Sequence, residues 1–325
     1  MNTGRRVLFV VTVIVVILVV LVAVRMGRRQ APGAGQLRAA FDAEFLTRPD
    51  GYKGLCEHYG FRFVAEPVQM DPGLMYKAVA DGAADVIDAF ATDGRIAAYD
   101  LVVLEDDKGF FPPYYAAPLV RSETLKQYAD LEKLLNKLSG KISDSAMQKL
   151  NYEVDEKGRK AQDVAREFLV SEKLIAADAK PGDGSRGTVR IGGKQFTEQE
   201  ILGELMAVLI ECNSNIKVDR RLNLGGTMIC FNALKAGDLD LYAEYTGTGL
   251  VNILKHEVIS EPDKAYAHVA AQFAERFGLK WLRPFGFNNT YTLTMRRAHA
   301  EELGLGTISD LAKLVQLRQK SSEPE

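Results

Sequence analysis

Residues 237–249, GDLDLYAEYTGTG, form a pattern that this chain contains twice. A helix-compatible run, CFNALKA, stops at Gly237, a short apolar strand is expected over 239–242, and an aromatic residue, two threonines and two glycines then arrive together. Apolar strands that end in such loops present ligand-contacting groups: Tyr245 offers a ring and a hydroxyl, Thr246 and Thr248 offer small hydroxyls, and Gly247 and Gly249 allow close backbone approach. Gly82, Asp85, Phe90 and Thr92-Asp93-Gly94 fall where Gly237, Asp240, Tyr245 and Gly247-Thr248-Gly249 fall, since 237 − 82 and 245 − 90 both give 155. There too a helix, opened by Pro72 over an apolar face of Leu74, Met75, Ala78 and Val79, stops at glycine, and a strand is expected over 84–87. Two such loops in one register suggest paired lobes that face a single ligand.

At 325 residues the chain is long enough for a two-lobed unit. Its formal net charge of -2 gives no support to nucleic-acid binding. The three cysteines form no CxxC or metal quartet, and the four histidines are isolated, so no metal or cofactor is called for. No nucleophile–base pair or phosphate loop is visible, so the chain does not read as an enzyme. Residues 7–24 are apolar apart from Thr12, with arginines on both flanks. As a helix this run would rise roughly 27 Å, close to the hydrocarbon thickness of a bilayer. We read residues 1–29 as a single-pass membrane anchor with basic flanks; a cleaved signal peptide competes, but no A-x-A-like site follows.

Residues 30–36 are a tether, and 176–187 (AADAKPGDGSRG) a linker between two blocks, 37–175 and 188–325. In the first block, Pro-Asp-Gly at 49–51 is a turn beside Arg48, 61–64 alternates like a strand, 101–104 (LVVL) reads as a buried strand, and Phe110–Tyr115 is a proline-stiffened aromatic segment. Helices are expected over 122–175. In the second block, strands are expected over 189–191, 217–222 and 284–295, and helices over 201–211, after Gly225-Gly226-Thr227, over 269–277 and from Thr307. Thr197 with Glu200 has the spacing of a capping box, and an anionic group could sit at the Gly-Gly-Thr helix start.

The segments GGKQFTEQEILGELMAVLI, LGGTMICFNALKAGDLDLYAEYTGTG and FGFNNTYTLTMR resemble the first half of the substrate-binding proteins of ABC transporters for glycine betaine, choline and carnitine. EFLTRPDGYKGL and the long stretch 70–118 resemble the second half. The second half comes first here, which reads as a circular permutation with the usual termini joined by 176–187; two half-proteins of a tandem array is the alternative. The resemblance implies an α/β, two-lobed, periplasmic-binding-protein-like fold (type II), with the first lobe over about 96–286, the second over about 37–89 and 292–325, and crossovers at 90–95 and 288–291. It further implies a cage of Tyr245, Tyr291, Phe90 and Tyr114 around a quaternary ammonium, which offers no hydrogen-bond donor and must be held by ring faces. Phe90 departs from a tyrosine pattern, and Tyr115 could substitute for Tyr114. Arg48 is the implied charged partner of a ligand carboxylate, with Thr248 as a hydroxyl donor, Asn289 orienting the rings or the ligand, and Met228 tuning the choice of ligand. The implied partners are an ABC permease and the membrane, with the globular part outside the cytoplasm. A ligand-sensing or structural module without transport is the alternative function.

Overall fold

The computed structural model describes residues 36–320, so the expected anchor and the start of the tether lie outside the described residues. Among the described residues no helix is long and apolar enough to cross a membrane. Ten strands form there: Ala39–Phe41 (β1), Val68–Gln69 (β2), Val86–Phe90 (β3), Leu101–Leu104 (β4), Ala116–Arg121 (β5), Thr188–Gly192 (β6), Lys217–Arg221 (β7), Leu241–Tyr245 (β8), Leu279–Trp281 (β9) and Tyr291–Arg296 (β10). They build two five-stranded sheets, in the orders β2-β1-β3-β10-β4 and β7-β6-β8-β5-β9.

The two sheets have one topology. In each, the first strand pairs in parallel with the second and third, and a strand from the other half of the chain enters antiparallel between the third and the last. Thus β10 completes the sheet begun by β1, and β5 completes the sheet begun by β6. The echo in the sequence has the same basis. The helix Pro72–Ala80, capped by Asp71, leads to Gly82 at φ 74, and the helix Thr227–Ala236 ends at Gly237 at φ 84; a left-handed residue is what glycine adopts without a Cβ penalty. Asp85 then accepts from the Arg38 backbone N–H and Nε, both at 2.9 Å, as Asp240 accepts from those of Arg190 at 2.8 and 2.9 Å. These turns delay each strand, so β3 and β8 begin two residues after the positions expected from apolarity alone.

The helix Thr197–Asn213 is the main buried helix: Ile201, Leu202, Leu205, Met206 and Leu209 are wholly inaccessible, as their spacing predicts, and Glu198, Gln199 and Glu204 are buried beside them. Its start differs from expectation. Thr197 lies inside the first turn, Phe196 holds the cap position, and Thr197 Oγ1 donates to Asp155 instead of capping. The box with Glu200 does not form. At the helix Ile308–Lys320 one does: Thr307 Oγ1 accepts from the Asp310 N–H at 3.1 Å while Asp310 accepts from the Thr307 N–H at 3.1 Å.

Other boundaries are corrected. Residues 61–64 are not a strand: Phe61 and Phe63 are buried, but β2 takes the ladder position beside β1. Within 284–295 only the part from Tyr291 is a strand. The lobe limits also move, because β4 pairs with β10 and so belongs to the sheet of β1. Residues 90–95 therefore stay within one lobe. The chain crosses instead at 111–115, where Tyr115 bridges antiparallel to Asn288, the Tyr114 N–H donates to Asn288 Oδ1 at 2.7 Å, and the Asn289 N–H donates to the Tyr114 carbonyl at 3.1 Å. The proline-stiffened aromatic segment is thus one of two paired crossings, and Asn288–Asn289 lies on the other.

Candidate functional site

The third strands of both sheets, β3 and β8, run toward the gap between the lobes and end in Phe90 and Tyr245. Their antiparallel neighbours enter from the crossings, so Tyr291 pairs in register with Phe90, and Ala116, two residues after Tyr114, pairs with Tyr245. This topology brings together residues two hundred positions apart, as with Arg48 and Thr248. One cavity is lined by all seven residues expected at the site: Arg48, Phe90, Tyr114, Tyr245, Thr248, Asn289 and Tyr291.

The aromatic rings form a chain around it. Tyr114 stands edge-on to Tyr291 at 5.6 Å between centroids, and Tyr291 lies 5.3 Å from Phe90. Phe90 stacks on Phe196 at 5.6 Å and 8°, and Phe196 faces Tyr245 at 6.3 Å. Phe196 therefore joins the two echoed loops, one from each lobe. Burial pushes the phenols of Tyr114, Tyr245 and Tyr291 well above their ordinary pKa, so all three are neutral rings with intact hydroxyl donors.

Arg48 is buried and does not stand free. Its Nε and Nη2 fork onto Asp50 at 2.8 and 2.6 Å, Nη1 donates to Thr248 Oγ1 at 3.2 Å, and the guanidinium carbon lies 5.3 Å from the Tyr291 centroid. Burial works against its charge, yet with the Asp50 carboxylate beside it the pKa stays above the ordinary value, so the charge is permanent. Tyr114 donates its hydroxyl to Asp50. The other lobe places a second cation at the same cavity: Lys194 Nζ meets Glu244 Oε1 at 2.6 Å and sits 5.2 Å from the Tyr245 centroid.

Two further acids tie the lobes together. Glu44 reaches across the gap to the start of the helix Thr227–Ala236, where its Oε1 accepts from the Thr227 N–H at 2.7 Å and its Oε2 from Thr227 Oγ1 at 3.1 Å. The anionic group at the Gly-Gly-Thr turn is thus supplied by the chain itself. Burial works against its charge, but Lys194 and the Thr227 N–H hold its pKa below the ordinary value. Glu198 is wholly enclosed and accepts from the hydroxyls of Tyr245 (2.7 Å) and Thr92 and from the amides of Asn289 (2.9 Å) and Asn151 (3.2 Å). Burial raises its pKa and these four donors oppose the rise. Asn289 is therefore oriented by Glu198, and so is Tyr245, whose hydroxyl also accepts from Gln199 Nε2 at 3.1 Å. Asp42, another wall of the cavity, lies against Asp88, whose Oδ1 accepts from the Asp42 N–H at 2.9 Å; burial drives both pKa values up.

Two expectations are not met. Tyr115 packs on the crossing and lines a different cavity from Tyr114, and Met228 is 45% exposed and outside the cavity wall. Among the described residues no cluster of His, Cys, Asp and Glu could hold a metal ion. The arrangement can enclose a small cation in ring faces while presenting guanidinium, ammonium and hydroxyl donors to an anionic group on the same molecule.

The decisive observation is at the level of the whole chain. The family model for the substrate-binding domain of ABC-type glycine betaine transport systems matches residues 28–171 and again 187–323. The chain belongs to this family. It is a family of transport substrate-binding domains and not of enzymes. Similar members include the carnitine transport binding protein OpuCC of Listeria monocytogenes, 44% identical over 41% of this chain and 44% of that protein. The glycine-betaine-binding protein of Pseudomonas aeruginosa is 38% identical over 47% of this chain and 49% of its own length. The chain spans about half the length of these curated relatives. A crystal structure of a glycine betaine/carnitine/choline ABC transporter is 44% identical over 43% of this chain and 52% of its own, with a TM-score of 0.35.

Lys194, Phe196, Glu198, Glu44 and Asp50 are the site residues that reading the sequence alone missed. The first three stand in GGKQFTEQE, a segment noted for the resemblance but read locally only for a helix cap. Lys-x-Phe-x-Glu ahead of an apolar helix was the available signal.

Proposed function

We propose that this protein is the extracytoplasmic binding component of an ABC importer and captures a quaternary-ammonium osmoprotectant such as glycine betaine, choline or carnitine. The observation that carries the reading is the convergence of four cage rings, Arg48, Thr248 and Asn289 on one cavity between the lobes. Each ring face contributes on the order of 0.5–2 kcal/mol to holding a cation, so several together give useful affinity where one does not. Arg48 and Lys194 supply positive charge for a carboxylate, which favours a zwitterion over a plain cation. Closure of the lobes around the ligand, about the crossings at 111–115 and 288–290, is the signal a permease reads. Residues 1–29 hold the domain at the membrane surface.

The order of the halves supports circular permutation. Each sheet is completed by a strand from the other half, and the helix Ile308–Lys320 returns to the lobe of β1, where Gln316 Nε2 donates to the Gly60 carbonyl. A chain in which 188–320 precede 37–175 is expected to bind the same ligand.

Calorimetric titration of the protein with glycine betaine, choline, carnitine and proline betaine tests the reading. Saturable heat with at least one is expected, and no heat with any of them overturns it.

A further inference from the structure

The helix Asp144–Asp155 carries two stripes of different chemistry. Met147 and Leu150 are buried, pack with Val154 into the core, and set the helix against the helix Thr197–Asn213, so it belongs to the lobe of β6. Asp144, Gln148, Asn151 and Asp155, spaced i, i+4, i+7 and i+11, form a polar stripe beside the apolar one. This second stripe reaches away from its own lobe. At its start, Asp144 Oδ1 accepts from the Asn288 N–H in the crossing at 2.9 Å. Further along, it holds the loop that follows β3 in the opposite lobe. Gln148 Nε2 donates to the Ala91 carbonyl and Asn151 Nδ2 to the Thr92 carbonyl, both at 2.9 Å, and Asp155 lies 3.5 Å from Arg95. Glu156, just past the helix, accepts from the Tyr99 hydroxyl at 2.5 Å.

Gly94 shows how closely the two surfaces meet. Its φ is -66°, which any residue adopts, so glycine is needed there for space and not for conformation. A Cβ at Gly94 would stand 2.6 Å from the Gln148 carbonyl oxygen and 2.6 Å from Tyr152 Cβ, both in the opposite lobe. Gly249, its counterpart in the echoed loop, packs instead on Trp281 of its own lobe. Thr92, Asp93, Arg95, Asn151 and Asp155 line a polar compartment beside the aromatic cavity, but none of them lines the cavity itself. Gly94 and Gln148 line neither space.

We infer that the helix Asp144–Asp155 is a clasp that sets the balance between open and closed lobes, so that Gly94 and Gln148 govern affinity without touching the ligand. The inference rests on the binding-protein reading and deepens it. A ligand held between two lobes binds with its intrinsic affinity scaled by the fraction of protein that is closed. Contacts that join the lobes away from the cavity change that fraction and leave the ligand's own contacts as they are.

An amide on the far side of the gap reports closure independently. The Thr227 N–H donates to Glu44 of the opposite lobe, and neither residue touches the clasp, so hydrogen exchange at Thr227 follows the separation of the lobes. In the full-length protein without added ligand, Gly94→Ala is expected to speed exchange at Thr227 about ten-fold and to weaken glycine betaine about ten-fold in calorimetry. Gln148→Ala, which removes one hydrogen bond from a half-buried helix position, is expected to do both by about three-fold. It also decides the matter if Gly94→Ala does not fold. Exchange at Thr227 unchanged by Gln148→Ala overturns the clasp, because a purely local role in the helix would leave that amide alone. Silence of the unmodified protein toward glycine betaine and its congeners overturns the cage reading instead, and the exchange rates, which need no ligand, still decide the clasp.

Discussion

The two lobes share a strand order, a glycine-terminated helix and an Arg–Asp brace, yet the loops they present to the cavity differ. In the loop after β8, Tyr245 presents a ring whose hydroxyl is anchored by Glu198 and Gln199, and Thr248 accepts from Arg48 of the opposite lobe. In the loop after β3, Phe90 has a ring and no hydroxyl, Thr92 donates to Glu198, and Asp93 turns away to Arg95. The braces hold both strands in place while the loops differ in chemistry. One jaw is a fixed polar-and-aromatic wall, and the other is an apolar face backed by a polar annex.

The same contrast extends to the cations, and there the largest effect is expected. Arg48 and Lys194 are buried at one cavity, each held by a carboxylate from its own lobe, but Arg48 forks onto Asp50 through two nitrogens whereas Lys194 makes one contact with Glu244. Asp50→Ala is expected to destabilise the protein by about 3–5 kcal/mol, and Glu244→Ala by less, in urea unfolding. Equal losses would break the contrast.

Binding reports the next difference. Tyr245→Ala removes a ring and one of the four donors to Glu198, and a loss of about thirty-fold in affinity is expected; Phe90→Ala removes a ring alone, for about five-fold. Because Tyr245 is buried and doubly hydrogen-bonded, its loss will also lower the melting temperature, and Tyr245→Phe, which keeps the ring, isolates the share of the hydroxyl. A larger effect at Phe90 than at Tyr245 would reverse the assignment of the jaws.

The braces, by contrast, should behave alike in acid. Burial opposes the charge on Asp85, but hydrogen bonds from Arg38 and Arg296 depress its pKa to about 2; Asp240 is lowered in the same way by Arg190. A depressed carboxyl contributes stability that is complete above the unfolded value, about 4, and is lost as pH falls toward the folded value. Asp85→Asn and Asp240→Asn should each flatten the fall in stability between about pH 4 and pH 2. A fall unchanged in both variants would remove the braces from the account. The smallest effect is at the helix starts: Thr307→Ala should cost about 1 kcal/mol as a lost cap, recovered by serine. Failure of Thr307→Ser to recover it would argue against capping.

What could be read from the chain alone was whatever is written locally. Gly82 and Gly237 announce helix ends because only a left-handed residue fits there, and the aromatic loops follow at fixed spacing. The seven expected residues do surround one cavity. Glu44 and Asp50 were invisible because their roles arise from contacts across the lobes or between distant segments, which no local period encodes. The lobe boundary was misplaced for a related reason: LVVL reads as a buried strand in either sheet, and only its pairing with β10 decides which.

The central claim is that both lobes grip one ligand through ring faces. A crystal structure with glycine betaine bound tests it most directly. The account predicts the trimethylammonium nitrogen within about 6 Å of the ring centroids of Tyr114, Tyr245 and Tyr291, with the carboxylate toward Arg48 and Thr248. A ligand lodged on one lobe alone, or with its cationic group away from those rings, would contradict it.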